Sequence, residues 1–353
     1  MQSRVSVVLA ADQRYFPGLL ATVFTALASS RDRERFEFFI FDGGIDKLSK
    51  EKLEQLVVAF GNNHGIRWLV PRIEKFNGLI SMNGNFLEYA RLALPDLVGR
   101  PRVLWLDADL LVFRDCVELW GRSIGDALIA AASENIAFGD DVSNLHEFGI
   151  PDDASYFNTG VMVMDLDGLR EFNFSAMAIN FLRGNAGNYL WHDQSAINVV
   201  LHRRISELPR CFNSLNRAYL NSPSESFVGR GGYNYHFLER PKPWQRYSGE
   251  PHARIFYGIM KLLSEPMPEL TSSRNRLDWL KWQFPRFAEN WYSVTPKRFV
   301  KPVAMQTLRN IWGANSRLKH ISGTGCVEKV VGRLKAAYLE AKEHSSQKRT
   351  LTS

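Results

Sequence analysis

The 353-residue sequence predicts an α/β protein whose first half is Rossmann-like and whose central sheet is parallel or mixed. Three observations carry this expectation. Short β-branched and aromatic runs alternate with amphipathic stretches, the pattern of strands separated by helices. The composition is 45% hydrophobic, enough for one large core or a core with a smaller appended region. Acidic residues stand just beyond apolar strand-like runs, where open α/β sheets bind their ligands.

In chain order, strand-like Val5 to Ala10 leads into a helix over Phe16 to Ser29, and strand-like Phe36 to Phe41 into a helix over Asp46 to Phe60. In the second helix Leu48, Leu53, Leu56, Val57 and Phe60 supply the apolar positions. A strand over Gly65 to Val70, a helix over Asn85 to Val98 and a strand over Arg102 to Leu106 complete the Rossmann-like half. Ala127 to Ala132 and Gly160 to Leu166 read as further strands, with helices near Asp167 to Arg183 and His192 to His202. A Gly/Ser-rich connection over Ser222 to Gly232 precedes Tyr233 to Phe237 and the loop Pro241-Lys242-Pro243-Trp244, whose prolines fix φ. From Thr271 the composition turns to Trp, Phe, Arg and Lys in helix-like stretches, and the polar segment from His344 is expected to fray. The reading is a main domain over 1–270 and a basic, aromatic C-terminal region over 271–353. No internal repeat or low-complexity tract stands out.

Charge and composition narrow the function classes. The net charge of +7 divides unevenly: residues 1–270 carry 28 Lys+Arg against 32 Asp+Glu, and residues 271–353 carry 16 against 5. Met1-Gln2-Ser3-Arg4 runs straight into the first strand, which lacks the pattern of a secretion signal, and no apolar run approaches the roughly 18 residues of a membrane span. A cytoplasmic location is the expectation. Cys116, Cys211 and Cys326 fit none of the spacings of zinc or redox sites and read as reduced thiols. No nucleic-acid motif accompanies the basic tail, so no nucleic-acid partner is expected.

Val103-Leu104-Trp105-Leu106-Asp107-Ala108-Asp109 ends an apolar strand with two carboxylates that an extended chain points the same way. Their repulsion would be relieved by a divalent cation, and oxygen ligands suit Mg²⁺ or Mn²⁺. Further on, His236 and Lys242 lie six residues apart, one able to complete a mixed nitrogen and oxygen site and the other suited to a phosphate. A structural reading stands beside each. Strand-end aspartates cap turns, Asp12 can cap the helix that follows it, Asn158 and Gln194 can satisfy buried backbone groups, and single His and Lys residues are often structural or solvated.

Taken together, six blocks resemble glycosyltransferase family 8 over about residues 5 to 245. They are Ala10-Ala11-Asp12 with Tyr15, Tyr89-Ala90-Arg91-Leu92, Leu106-Asp107-Ala108-Asp109, Phe157-Asn158-Thr159-Gly160-Val161 with Asp165, Asp193-Gln194-Ser195 with Asn198, and His236-Phe237 through Lys242-Pro243-Trp244. Their order is the family's, which is far more specific than any single block. The resemblance implies a GT-A-type fold with a mixed sheet and a metal-dependent, retaining transfer of galactose or glucose from a UDP-sugar. It implies a uracil site at Ala10, Asp12 and Tyr15, and donor contacts from Arg91, Asp107, Ala108, Asn158, Thr159, Asp193 and Lys242. It also implies Mn²⁺ or Mg²⁺ on Asp107, Asp109 and His236, with Asp193 and Gln194 at the reaction centre. The sequence departs from the family at Glu239, where the pattern has a glycine that closely approaches the diphosphate.

The implied acceptor is a saccharide or a lipid-linked saccharide, as in lipopolysaccharide or other surface-glycan synthesis. Residues 271–353 would rest on an anionic membrane surface, placing the protein on the inner face of the cytoplasmic membrane. The same residues can instead form a packed helical subdomain. Two other functions remain open at this stage: a UDP-sugar-binding protein that has lost turnover, and a sugar nucleotidyltransferase. The second usually carries a Gly-rich basic loop after the first strand, and Ala10-Ala11-Asp12-Gln13-Arg14 is not one.

Overall fold

The computed structural model describes residues 3–62, 64–71, 73–81, 86–133, 145–151, 154–186, 192–215, 233–238, 240–245, 251–265 and 324–351. The chain divides into two compact units, the first formed by 1–222, 231–238 and 336–353 and the second by 223–230 and 239–335.

The first unit begins with β1 (Val5–Ala11), α1 (Phe16–Ser29), β2 (Phe36–Asp42), α2 (Lys47–Ala59) and β3 (Ile66–Leu69). There follow α3 (Leu94–Leu97), β4 (Arg102–Leu106), β5 (Leu110–Leu111), α4 (Cys116–Trp120) and β6 (Ile129–Ser133). After them come β7 (Phe157–Asp165), α5 (Leu166–Glu171), α6 (Phe174–Gly184), α7 (His192–Val200), β8 (Ile205–Leu208), β9 (Ser214–Leu215) and β10 (Tyr235–His236).

Seven strands form one sheet in the order β3-β2-β1-β4-β7-β6-β8. The first four are mutually parallel, β7 runs antiparallel to both β4 and β6, and β8 is parallel to β6. The sheet is therefore mixed, with a Rossmann-like half at one side. β1 and β2 are buried almost end to end, as strands covered on both faces must be. The two-residue period puts Phe39 and Phe41, Val103 and Trp105, and Met162 and Met164 on one face. They pack there with Leu166 and Leu169 of α5, Phe174, Ala178 and Leu182 of α6, and Ala196 and Ile197 of α7. Each Val, Leu, Ile, Phe or Met side chain among them contributes about 1.5–3 kcal/mol by leaving water. A second sheet, β5-β10-β9, joins the short strand that directly follows β4 in the chain to two strands from much further along it.

Several elements differ from expectation for identifiable reasons. The helix expected over Asn85 to Val98 is a 3-10 stretch, Leu87–Ala93, followed by the short α3. Pro95 has no N–H to donate and its ring crowds the preceding turn, so a continuous α-helix is disfavoured there. The helix expected over Asp167 to Arg183 is two helices, broken at Asn173, whose φ of 55° no helix interior accepts. The strand expected from Gly160 begins at Phe157, with an irregularity opposite Ala131 and Ala132. The segment from His344, expected to fray, continues α9 (Thr324–Leu351), numbered after α8 (Pro251–Leu262).

Within the first unit, Tyr338 of α9 sets its ring 5.8 Å from Phe24 and 5.7 Å from Phe60. Within the second, Trp244 packs on Phe256 at 5.5 Å, and a Cβ at Gly258 would meet Val331 Cγ2 at 2.5 Å, so α8 and the start of α9 touch closely. The aromatic cluster Trp279, Trp282, Phe284, Phe287, Trp291 and Tyr292 lies outside the described residues.

Candidate active site

Two strand registers bring the site together. In the β4–β7 pair Leu106 stands opposite Val161, and the ladder continues with the Asp107 N–H donating to the Gly160 carbonyl at 2.8 Å. Asn158, Thr159 and Gly160 are thereby set beside Asp107. In the β5–β10 pair His236 stands opposite Leu110, and the Phe237 N–H donates to the Asp109 carbonyl at 3.0 Å. The β5 strand is held to α1 by buried hydroxyls: the Leu110 N–H donates to Thr22 Oγ1 at 3.1 Å and the Val112 N–H to Thr25 Oγ1 at 2.9 Å. Asn234 ties β10 to the loop after β5, accepting the Phe113 and Arg114 N–H groups at 3.0 and 2.9 Å.

The result is a convergence of Asp107, Asp109 and His236, with one ligand atom from each lying within 4.8 Å of the others. His236 Nε2 is 3.0 Å from Asp109 Oδ1 and 3.7 Å from Asp107 Oδ2. Asp107 Oδ1 is occupied on its other side, accepting from Trp105 Nε1 and Arg91 Nη2, each at 2.8 Å. That leaves Oδ2 toward the histidine. A divalent cation fits this donor set, two carboxylates and an imidazole, in ligand type and closeness. Gly160 makes room for the imidazole: a Cβ there would sit 2.2 Å from His236 Cε1 and 2.7 Å from its Nδ1. Ala108 is buried between the two aspartates.

Arg91 links this cluster to α7. Its Nε pairs with Asp193 Oδ2 at 2.8 Å, its Nη1 donates to the Thr159 carbonyl at 2.7 Å and to Thr159 Oγ1 at 2.8 Å, and its Nη2 reaches Asp107. The guanidinium also lies over the Trp105 ring, 4.8 Å from its centroid. Burial alone would lower its pKa, but the charges of Asp107, Asp193, Asp109 and Glu88 hold it above the ordinary value. For Asp193 burial dominates and raises the carboxyl to about 7; Arg91 opposes this, while Asp107 and Glu88 add to it. The four carboxyl groups, Asp107, Asp109, Asp193 and Glu88, outnumber Arg91, so the pocket favours a further positive charge.

Gln194 accepts the Thr159 N–H through Oε1 at 3.1 Å, which turns its amide nitrogen toward the Tyr156 hydroxyl at 3.5 Å. Asn198 exchanges two hydrogen bonds with the Phe157 backbone, each 2.8 Å, and so joins α7 to β7. His192, at the start of α7 with a φ of 44°, is 3.0 Å from the Tyr89 hydroxyl through Nδ1. At the end of β1, Asp12 accepts the Tyr15 N–H at 3.0 Å and pairs with Arg14 at 2.8 Å, so it does perform the capping role open to it from sequence. Ala10 precedes it at the carboxyl end of the same strand. Lys242 is buried in the second unit, where its N–H donates to Gln245 Oε1 at 3.1 Å. Glu239 lies outside the described residues.

Sequence reasoning did not find Asn213, Trp105 or Tyr156 as site residues. Asn213 sits in no motif and is separated from its partners by 55 and 23 residues in the chain.

Solved structures share this architecture. The galactosyltransferase LgtC, in complex with donor and acceptor sugar analogs, matches with a TM-score of 0.64 at 23% identity, over 75% of this chain and 98% of that one. The glycosyltransferase GlyE of Streptococcus pneumoniae matches with a TM-score of 0.55 at 17% identity, over 76% of this chain and 66% of that one. The fold is thus the GT-A-like fold of nucleotide-sugar transferases. The profile of glycosyl transferase family 8 matches residues 6–248, and the chain belongs to that family. Among curated relatives, general stress protein A of Bacillus subtilis is 27% identical over 270 residues, spanning 72% of this chain and 92% of that protein. Probable galacturonosyltransferase-like 9 of Arabidopsis thaliana is 31% identical over 189 residues, spanning 49% of this chain and 48% of that one.

Proposed function

We propose that the chain transfers a hexose, galactose or glucose, from a UDP-sugar to a saccharide or glycolipid acceptor with retention at the anomeric carbon. The observation that carries this reading is the convergence of Asp107, Asp109 and His236 beside Asp193 and Gln194, linked through Arg91 and Thr159. Asp107, Asp109 and His236 would hold Mn²⁺ or Mg²⁺, which when bound supplies Lewis-acid stabilisation of the leaving diphosphate. Asp12 and Tyr15 would contact the uracil, Asn158 and Thr159 the donor, and Lys242 the phosphates. Arg91 would reach the donor, and it also holds Asp107 and Asp193 in fixed relation. Asp193 would take the sugar hydroxyls.

Retention in glycosidases uses a carboxylate nucleophile. Here Gln194 takes that place, and an amide is a weak nucleophile. We infer front-face substitution: the bond from the anomeric carbon to the diphosphate oxygen breaks, the acceptor oxygen bonds on the same face, and its proton passes to the departing phosphate. The Gln194 carbonyl would stabilise the positive charge that develops on the sugar.

The test is to screen UDP-hexoses for slow Mn²⁺-stimulated hydrolysis, then to follow the first-formed product with an acceptor by proton NMR. An α-glycoside from an α-linked donor is expected, and an initial β-glycoside would overturn the mechanism. UDP binding without any hydrolysis across the donors would instead favour a binding protein.

A further inference from the structure

We propose that Asn213 is a positioning residue that, with Asn158, fixes the proton of His236 on Nδ1 and turns the Nε2 lone pair toward the carboxylates. The inference rests on the metal-site reading above and extends it to a residue that touches no substrate.

The argument starts from a group whose role is not in question. The backbone N–H of Gly160 can only donate, and it donates to the side-chain oxygen of Asn158 at 2.9 Å. The Asn158 atom facing that N–H is therefore Oδ1. The same oxygen is 2.7 Å from the Asn213 amide, so the Asn213 atom facing it must be the donor Nδ2. With its nitrogen so committed, Asn213 presents Oδ1 on its other side, and there it lies 3.0 Å from His236 Nδ1. An oxygen that only accepts requires a proton on that nitrogen. The orientation of each side chain in the relay thus follows from one main-chain donor.

The consequence falls on the opposite ring nitrogen. A neutral histidine protonated on Nδ1 has its lone pair on Nε2, the atom 3.0 Å from Asp109 and 3.7 Å from Asp107. Of the two neutral tautomers, only this one makes His236 a ligand on the carboxylate side. Two further features suggest a built relay. Asn158, Asn213 and His236 are 5%, 2% and 3% exposed, so water offers these amides little competition. The fit is also close, since Gly160 leaves no space for a methyl group between the backbone and the His236 ring. Outer-sphere partners of this kind orient a ligating imidazole, and their loss typically costs about 10- to 100-fold in metal affinity.

The experiment reads the ring nitrogens directly. With ¹⁵N-labelled histidine, NMR of the full chain with UDP, with and without Mg²⁺, should show His236 protonated at Nδ1 in both states. A wild-type ring lacking a proton on Nδ1 would overturn the proposal without any variant being made. Asn213→Leu, which keeps the branched shape and removes both polar atoms, should weaken Mn²⁺ binding about ten-fold or more, measured by the paramagnetic resonance of free Mn²⁺ in the presence of UDP. Asn213→Asp keeps an acceptor toward Nδ1 and should retain more of the affinity than the leucine variant. Equal Mn²⁺ affinity in wild type and a folded Asn213→Leu protein would sink the relay. If His236→Ala and Asp109→Asn also leave the affinity unchanged, the metal site itself is misassigned, a failure distinct from that of Asn213.

Discussion

The two oxygens of Asp107 have different tasks, and that division decides what a substitution there should do. Oδ1 holds the Arg91 and Trp105 donors, while Oδ2 faces His236. Asp107→Asn would keep an oxygen for one task and lose the charge for both. Asp107→Asn, Asp109→Asn and His236→Ala should each reduce Mn²⁺-stimulated UDP release by about 100-fold or more, equivalent to ~3 kcal/mol of transition-state stabilisation. Circular dichroism should show an unchanged fold. Near-native rate and metal dependence in two of the three would refute the assignment. Gly160→Ala tests the same site without touching a ligand: its methyl group would overlap the His236 ring, so Mn²⁺ affinity should fall about ten-fold while free UDP binds as before. Unaltered Mn²⁺ affinity would mean that the ring can move aside at no cost. The motif residues were visible from sequence because each carries its chemistry in its own side chain. Asn213 was not, because its role arises only when β9 and β10 pair, setting Tyr235 opposite Ser214.

Among the elements, strands were the most legible, since burial imposes apolar runs that few other structures tolerate. β1, β2 and β4 fall within one residue of expectation. The stretch after Phe86 was misread as a helix because its apolar spacing is helical, and the spacing says nothing about whether the backbone can donate at Pro95. A charge buried near the start of β2 is another feature that no periodicity describes. Glu37 is 2% exposed and accepts from Ser6 at 2.6 Å and from Arg100 Nη2 at 2.8 Å. Burial alone would raise its carboxyl, but the hydrogen bonds and charge of Arg100, with Ser6, outweigh it and hold the pKa near about 2 against an ordinary 4.5. The folded value lies below the unfolded one, so this stabilisation is complete above pH ~4.5 and is lost as the pH falls toward about 2. The difference corresponds to about 3 kcal/mol. Urea unfolding between pH 6 and about 2 should therefore show an acid-labile component that Arg100→Met removes. Identical pH slopes in the two proteins would exclude the Glu37–Arg100 pair as its source.

At the scale of the whole molecule, the family profile ends at residue 248, and the basic excess of the chain lies beyond it. No described helix is long and apolar enough to cross a membrane. The packing of Tyr338 on Phe24 and Phe60 shows that part of the tail belongs to the first unit, and removing residues 271–353 would expose that aromatic pair. Truncation is therefore a poor test, and charge substitution is a better one. Each Lys or Arg close to an anionic bilayer contributes about 1 kcal/mol, and salt screens the attraction within a Debye length. Replacing Arg274, Arg276, Lys281 and Arg286 by Gln should thus weaken binding by ~4 kcal/mol, roughly a thousand-fold. We predict that the intact chain sediments with phosphatidylserine-containing vesicles at low salt, is released as salt rises, and ignores vesicles of phosphatidylcholine alone. The four-fold variant should stay in solution while hydrolysing UDP-sugar at the wild-type rate. Vesicle binding that survives both salt and the four substitutions, or no binding at any salt, would assign the aromatic and basic residues of 271–301 to packing within the protein.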